Sequence, residues 1–252
     1  MMMKQYIKFK DVSFEYIKIF NASSGIKENI MKFFTNFGQD SYKEETFHVL
    51  NNLNFELNTG DRLCIIGRNG AGKSTLLRLL TGIYKPTHGD IQISGKISSL
   101  IEIGAGMDPE LTGRENIYIM GLISGFSRSE IKAKEQEIID FADIGDFIDV
   151  PVKYYSTGMG GRLSFSMATS IHPDILVVDE LFAGGDINFI DKASKRIEQI
   201  KNDASIFVSV THDMEYAKKF FNKIIYLKNN SVQYYGEDIE SCVQEYIKDN
   251  IN

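Results

Sequence analysis

Short apolar runs bounded by turn residues punctuate this chain. Leu63-Cys64-Ile65-Ile66, Ile175 to Val178 and Ser205 to Val210 each have the length and composition of a strand buried on both faces. Between them the apolar positions take helical spacing. The stretch LLRLLTGI repeats leucines at that interval, and SRSEIKAKEQEIIDFADI sets Ile131, Ile138 and Phe141 behind a Ser127 cap with Glu130 three residues on. YYSTGMGGRLSFSMATSI opens a further helix, and helical patterns begin near Tyr118 after the glycine-studded connection KISSLIEIGAGMDPELTGRENI. Buried strands separated by helices predict an α/β fold with a mostly parallel sheet. Tyr6 to Tyr16 and His48 to Leu57 alternate as strands, and IQISG is a short strand after the turn Lys85 to Asp90. IIYLKNNSVQYYG reads as a hairpin turning at Asn229-Asn230, with a terminal helix from about Ile239.

The segment from Ile17 to Phe47 interrupts the first two strands. It holds Ser23-Ser24-Gly25 and then IKENIMKFFTNFG, where Ile26, Ile30 and Phe33 or Phe34 share one helical face. Two readings stand side by side: a helix packed on its own domain, or an amphipathic element lying against a membrane partner. The chain of 252 residues can bury one sizeable core, and its 43% hydrophobic and 25% charged residues are those of an ordinary globular protein. A net charge of -6 gives no support to broad nucleic-acid binding. No apolar run approaches the roughly 20 residues of a membrane span, and the N-terminus lacks the apolar core of a signal peptide. Two cysteines, Cys64 and Cys242, without metal-ligand spacing, suggest reduced thiols in a cytoplasmic protein.

The chemistry gathers at the ends of the buried runs. GRNGAGKST, from Gly67 to Thr75, follows one such run and precedes a helix, the context of a phosphate-binding loop. Gly67, Gly70 and Gly72 would let the backbone fold around a phosphate with amides pointing inward. Asn69, Ala71 and Thr75 complete the loop; Lys73 would reach the β- and γ-phosphates, and the Ser74 hydroxyl would ligate Mg²⁺. Asp179 and Glu180 close the run ILVVDE, where open α/β sheets bind ligands. Asp179 is expected to hold Mg²⁺ opposite Ser74, and Glu180 to orient the attacking water as general base. His212, after Val210 and Thr211, is expected to hydrogen-bond the γ-phosphate.

GRNGAGKST, YSTGM, ILVVDE, AGGD and TH, in that order, resemble the nucleotide-binding subunit of an ATP-binding-cassette transporter over nearly the whole chain. YSTGM, TGRENIY and DFADIGDFID further resemble the branch that exports bacterial O-antigen, capsule or teichoic-acid polymers. The resemblance implies a RecA-like P-loop NTPase with an antiparallel β subdomain and an α-helical subdomain. It implies one ATPase domain over residues 1–252, with an insertion at 17–47, the helical subdomain at about 105–170 and the terminal helix at about 236–252. Ser156, Thr157 and Gly158 stand where the family signature would bind the γ-phosphate of ATP held by a second copy. Asp186 matches the residue that communicates between the two sites. Tyr16 is the choice for stacking adenine, with Phe14 as core.

Departures accompany the likeness. Thr157 replaces the signature's first glycine, and Met159 its glutamine. Glu102, in LIEIGAG, takes the place of the glutamine that follows the strand after the phosphate loop; it could still bind Mg²⁺, but its charge repels a phosphate. The resemblance therefore implies an ATPase using ATP and Mg²⁺, pairing with itself at the cytoplasmic face of the membrane beneath a separate permease and moving a lipid-linked polysaccharide outward, with no nucleic acid involved. Ending at Asn252, without the carbohydrate-binding domain that some members carry, it would not itself select polymer ends. The alternative is a soluble ATP-driven switch acting on the ribosome or DNA, against which stand a single phosphate loop and no sustained heptads.

Overall fold

The run Leu63 to Ile66 lies in strand β3 (Arg62–Gly67), and its side chains divide between two cores. Leu63 and Ile65 face one; Cys64 and Ile66 face the other. Successive strand residues point to opposite faces, so a strand covered on both sides is apolar throughout. The same division holds in β6 (Ile175–Val178), where Ile175 and Val177 oppose Leu176 and Val178, and in β8 (Lys223–Lys228), where Ile225 and Leu227 oppose Ile224 and Tyr226. The computed structural model describes residues 4–20, 43–100, 106–170, 173–179 and 187–251.

One sheet runs in the order β5 (Ile97–Ser99), β6, β7 (Ile206–Val210), β3, β8 and β9 (Ser231–Gly236). Neighbours are parallel except β8 with β9, which form the expected hairpin. Its turn residues Asn229 and Asn230 take φ of 50° and 63°, a region asparagine tolerates better than most residues. The second sheet is antiparallel, in the order β2 (Lys43–Asn58), β1 (Tyr6–Phe20) and β4 (His88–Ser94). The first core joins both sheets to helix α1 (Lys73–Leu80), whose Leu76, Leu77, Leu79 and Leu80 are all buried. Each contributes about 2 kcal/mol of burial.

Two strand boundaries differ from the sequence reading. The β1–β2 ladder continues through Ile17↔Thr46 to Phe20↔Lys43, so the strands reach into the segment 17–47; the amphipathic stretch 26–34 lies outside the described residues. Strand β4 begins at His88, inside the expected turn, because it pairs with β1 from Ser13↔His88 onward. Gly89 makes this possible: at φ 82° it passes so close to β1 that a Cβ would stand 2.3 Å from the Asp11 carbonyl oxygen.

Helices α5 (Ile187–Asp203), α6 (Met214–Phe220) and α7 (Ile239–Ile251) cover the other face of the larger sheet. Cys64 and Cys242 are buried there as free thiols, and burial pushes Cys242 up to about 12. Among the described residues no helix is long and apolar enough to cross a membrane.

A helical unit of α2 (Gly113–Ile123), α3 (Arg128–Ala142) and α4 (Thr157–Ser170) has its own core around Ile117, Ile131, Ile138 and Leu163. The Ser127–Glu130 capping box starts α3 as read from the sequence. Helix α2 starts before Tyr118, because Thr112 and Glu115 close a second capping box. Helix α4 joins the unit to the rest, Leu163 lying in its core while Phe165 packs with Phe189 and Ala193 of α5.

Inside the unit, buried Glu135 receives Arg114 (2.5 Å), Lys132 (2.7 Å) and the Tyr118 hydroxyl (2.8 Å). Lys132 first, with Arg114 and Tyr118, holds the Glu135 carboxyl down at about 2 against the opposing effect of burial. A depressed carboxylate stabilises the fold fully above its unfolded value near 4.5 and loses that contribution as pH falls through about 2. Glu135→Ala is expected to lower unfolding stability by about 2 kcal/mol at neutral pH. Urea titrations across pH should show that deficit shrinking below the unfolded carboxyl value; a pH-independent deficit would mean the loss is packing alone.

Candidate functional site

Strand β3 ends at Gly67 and turns into α1 through Gly70 and Gly72, both in the left-handed region at φ 80° and 98°. Space as well as conformation excludes a side chain at two of the three glycines. A Cβ on Gly67 would stand 2.6 Å from the Leu227 carbonyl oxygen, and one on Gly72 would stand 2.7 Å from Leu50. Gly67 and Ala71 pack beneath the loop, whereas Asn69, Gly70, Gly72, Lys73, Ser74 and Thr75 line a cavity of about 670 Å³. The Lys73 ammonium folds over the loop, donating to the carbonyls of Gly67 (2.7 Å) and Arg68 (3.1 Å). No acidic residue occupies the first turn of α1, so the positive end of the helix keeps its field. An ammonium, a helix start and inward amides together make an anion site.

The cavity opens at the carboxyl ends of three adjacent strands, β6, β7 and β3. Asp179 follows β6, His212 follows β7, and both line it with the loop. His212 is held by its neighbours: Thr211 is buried, its hydroxyl accepts the Asp213 amide (3.0 Å), and Asp213 caps α6 by accepting the Tyr216 amide (3.0 Å). Val49 and Val210 complete the described wall and were not singled out from the sequence. Val49 was marked only by its place beside Leu50 in an alternating strand. The volume suits a small molecule. Ser74 and Asp179 offer a hydroxyl and a carboxylate to the same space, hard oxygen donors of the kind Mg²⁺ takes alongside phosphate.

Tyr16 stands outside the cavity lining, on β1 beside α1. It is 40% exposed, and its hydroxyl interacts with those of Tyr84 and Thr75; burial foremost, then Tyr84, raises its pKa. Phe14 is buried at 8% exposure and belongs to the core, as expected. Ser156, Thr157 and Gly158 form the start of α4, where the Ser156 hydroxyl accepts the Met159 amide (3.2 Å), and they do not line the cavity. A Cβ on Gly158 would meet nothing nearer than 3.9 Å, so this helix start is open. Glu102, Glu180 and Asp186 lie outside the described residues.

The fold and the gathered loop, acid and histidine can be set against known proteins. The family model described as ABC transporter matches residues 50–183. The chain is 42% identical over 234 residues to the O-antigen export system ATP-binding protein RfbE of Yersinia enterocolitica, covering 92% of this chain and 98% of that one. It is 36% identical over 234 residues to an O-antigen export system ATP-binding protein RfbB of Klebsiella pneumoniae, covering 93% and 94%. It is 39% identical over 211 residues to the teichoic acids export ATP-binding protein TagH of Lactococcus lactis, covering 84% of this chain and 45% of that protein. Among solved structures, the ATP-binding subunit of an ABC transporter has a TM-score of 0.66 at 22% identity, over 95% of this chain and 93% of that one. A dimeric ATP-binding cassette in a post-hydrolysis state with ADP and Pi has a TM-score of 0.63 at 23% identity, over 92% and 98%. The match of the family model over more than half of the chain, with relatives of nearly the same length, means that this chain belongs to the ABC transporter family.

Proposed function

We propose that this chain is the ATP-hydrolysing subunit of an exporter that moves a lipid-linked polysaccharide across the cytoplasmic membrane. The observation that carries the reading is the single cavity shared by Lys73, Ser74, Asp179 and His212. Phosphoryl transfer needs little covalent help from a protein; it needs a cradle, charge stabilisation and an oriented water. Lys73 and the loop amides hold the phosphates, with His212 donating toward the γ-phosphate. Ser74 and Asp179 would hold Mg²⁺, which would supply charge neutralisation for the phosphates. Glu180, next in the chain to Asp179, takes the proton of the attacking water.

The open start of α4 supports a second copy as partner, since Ser156, Thr157 and Gly158 present a helix N-terminus away from their own chain's cavity. Two copies facing each other would each complete the other's site, with Asp186 between them. Glu102 would act as a nucleotide sensor through the bound metal. The export systems named by the relatives support the polymer class and, with no candidate span among the described residues, a separate permease at the membrane.

Lys73→Ala is expected to weaken ATP affinity at least about tenfold by removing the ammonium; unchanged affinity would count against the loop. Glu180→Gln should bind ATP normally and hydrolyse it about 100-fold or more slowly. It should also run as a dimer in size-exclusion chromatography with ATP. Normal hydrolysis removes Glu180 from its role, and a monomer with ATP removes the shared site. In cells, loss of the chain should leave lipid-linked polysaccharide on the cytoplasmic leaflet, and unchanged surface polymer would exclude export.

A further inference from the structure

Beside the phosphate loop, Tyr16 belongs to one connected group with Phe14, Tyr84 and Arg78, and the last two have no part in the activity above. Tyr84 stacks on Phe14 with ring centroids 5.0 Å apart and planes 3° from parallel. Tyr16 meets both rings edge-on, at 5.0 Å from Phe14 and 6.0 Å from Tyr84 with planes near 89°. The Arg78 guanidinium lies 5.5 Å from the Tyr84 ring centroid, and its Nη1 approaches the Tyr84 hydroxyl at 3.4 Å. The Tyr16 hydroxyl also interacts with Tyr84 and with Thr75.

Thr75 and Arg78 are three residues apart on α1 and so share a face of that helix. The exposed ring of Tyr16 is thus tied twice to the helix whose start cups phosphate, directly through Thr75 in its first turn and indirectly through Tyr84 and Arg78. A ring fixed against the helix stands at a set separation from the cup; a freely rotating one would lose part of its stacking energy to ordering.

We propose that Tyr84, aided by Arg78, is a positioning residue for the base of the nucleotide, holding Tyr16 at the angle and distance from the phosphate loop that a purine triphosphate spans. The inference rests on the reading of Tyr16 as the base platform. It makes Tyr84 a determinant of base affinity and neutral toward phosphate.

The test compares affinities of the full chain for MgATP and for inorganic tripolyphosphate with Mg²⁺, which has no base. Tyr84→Leu, which removes the stacked ring and the hydroxyl, is expected to weaken MgATP about tenfold and leave tripolyphosphate unchanged. Tyr84→Phe, which keeps the stack on Phe14, should weaken MgATP by about two- to threefold. If MgATP and tripolyphosphate weaken together in Tyr84→Leu, the residue only supports the loop and the proposal fails. If Tyr16→Ala weakens MgATP but Tyr84→Leu does not, the positioning role fails and the platform stands. If Tyr16→Ala leaves MgATP unchanged, the platform reading falls and the proposal with it.

Discussion

The registration of three parallel strands is the constraint on which the cavity depends. Ile65 of β3 stands level with Val210 of β7, and Ser209 of β7 with Val178 of β6. The residues that follow, Gly67 on one strand, His212 on the next and Asp179 on the third, therefore emerge at one rim. Slipping any strand by one residue would exchange the side chains fitted to one core for those fitted to the other, and the close packing of both cores resists it. The hydrophobic division of these strands fixes the geometry of the polar groups beyond them.

Local charge at the rim runs against the charge of the chain. A protein of net charge -6 repels a triphosphate at long range, and that repulsion is screened within about a nanometre in physiological salt. At contact, the start of α1, with no acidic residue in its first turn, and the Lys73 ammonium dominate. The same logic applies at the start of α4, where Ser156 caps one amide and leaves the helix end open. The chain thus carries two helix starts of the same electrostatic character, one lining its cavity and one outside the cavity lining.

The features legible in the sequence were those set by strong local rules. Buried runs, the glycine loop, the Ser127 capping box and the Asn229-Asn230 turn each depend on a few neighbouring residues, and each stands where the sequence put it. Boundaries decided at long range were less visible. Strand β4 begins at His88 because β1 offers a partner and Gly89 permits the approach, neither of which local periodicity contains. The start of α2 was hidden in a glycine-rich stretch although Thr112 and Glu115 have the capping-box spacing that revealed α3. Tyr84 illustrates the limit for sites: in IYKPTHG it is one aromatic before a turn, and only the fold brings it against Phe14 and Tyr16.

Helix α1 serves the cup, the aromatic group and the core at once, and this sets where the molecule can yield. Four buried leucines lock it between two sheets, and a close-packed interior resists displacement of even one of them. The helical unit is joined differently. Its core is separate from the two that flank the larger sheet, and the links across include the small cluster of Phe165, Phe189 and Ala193 with Phe141 against it, the Arg196–Glu137 pair and the Ser98 hydroxyl donating to the Ala168 carbonyl (2.7 Å). Moving the unit as a body leaves its own core intact, whereas moving α1 disrupts the core that joins both sheets. Capping boxes and the Arg114–Glu135–Lys132 network keep the unit rigid in itself, so displacement concentrates at that joint rather than dispersing through three helices.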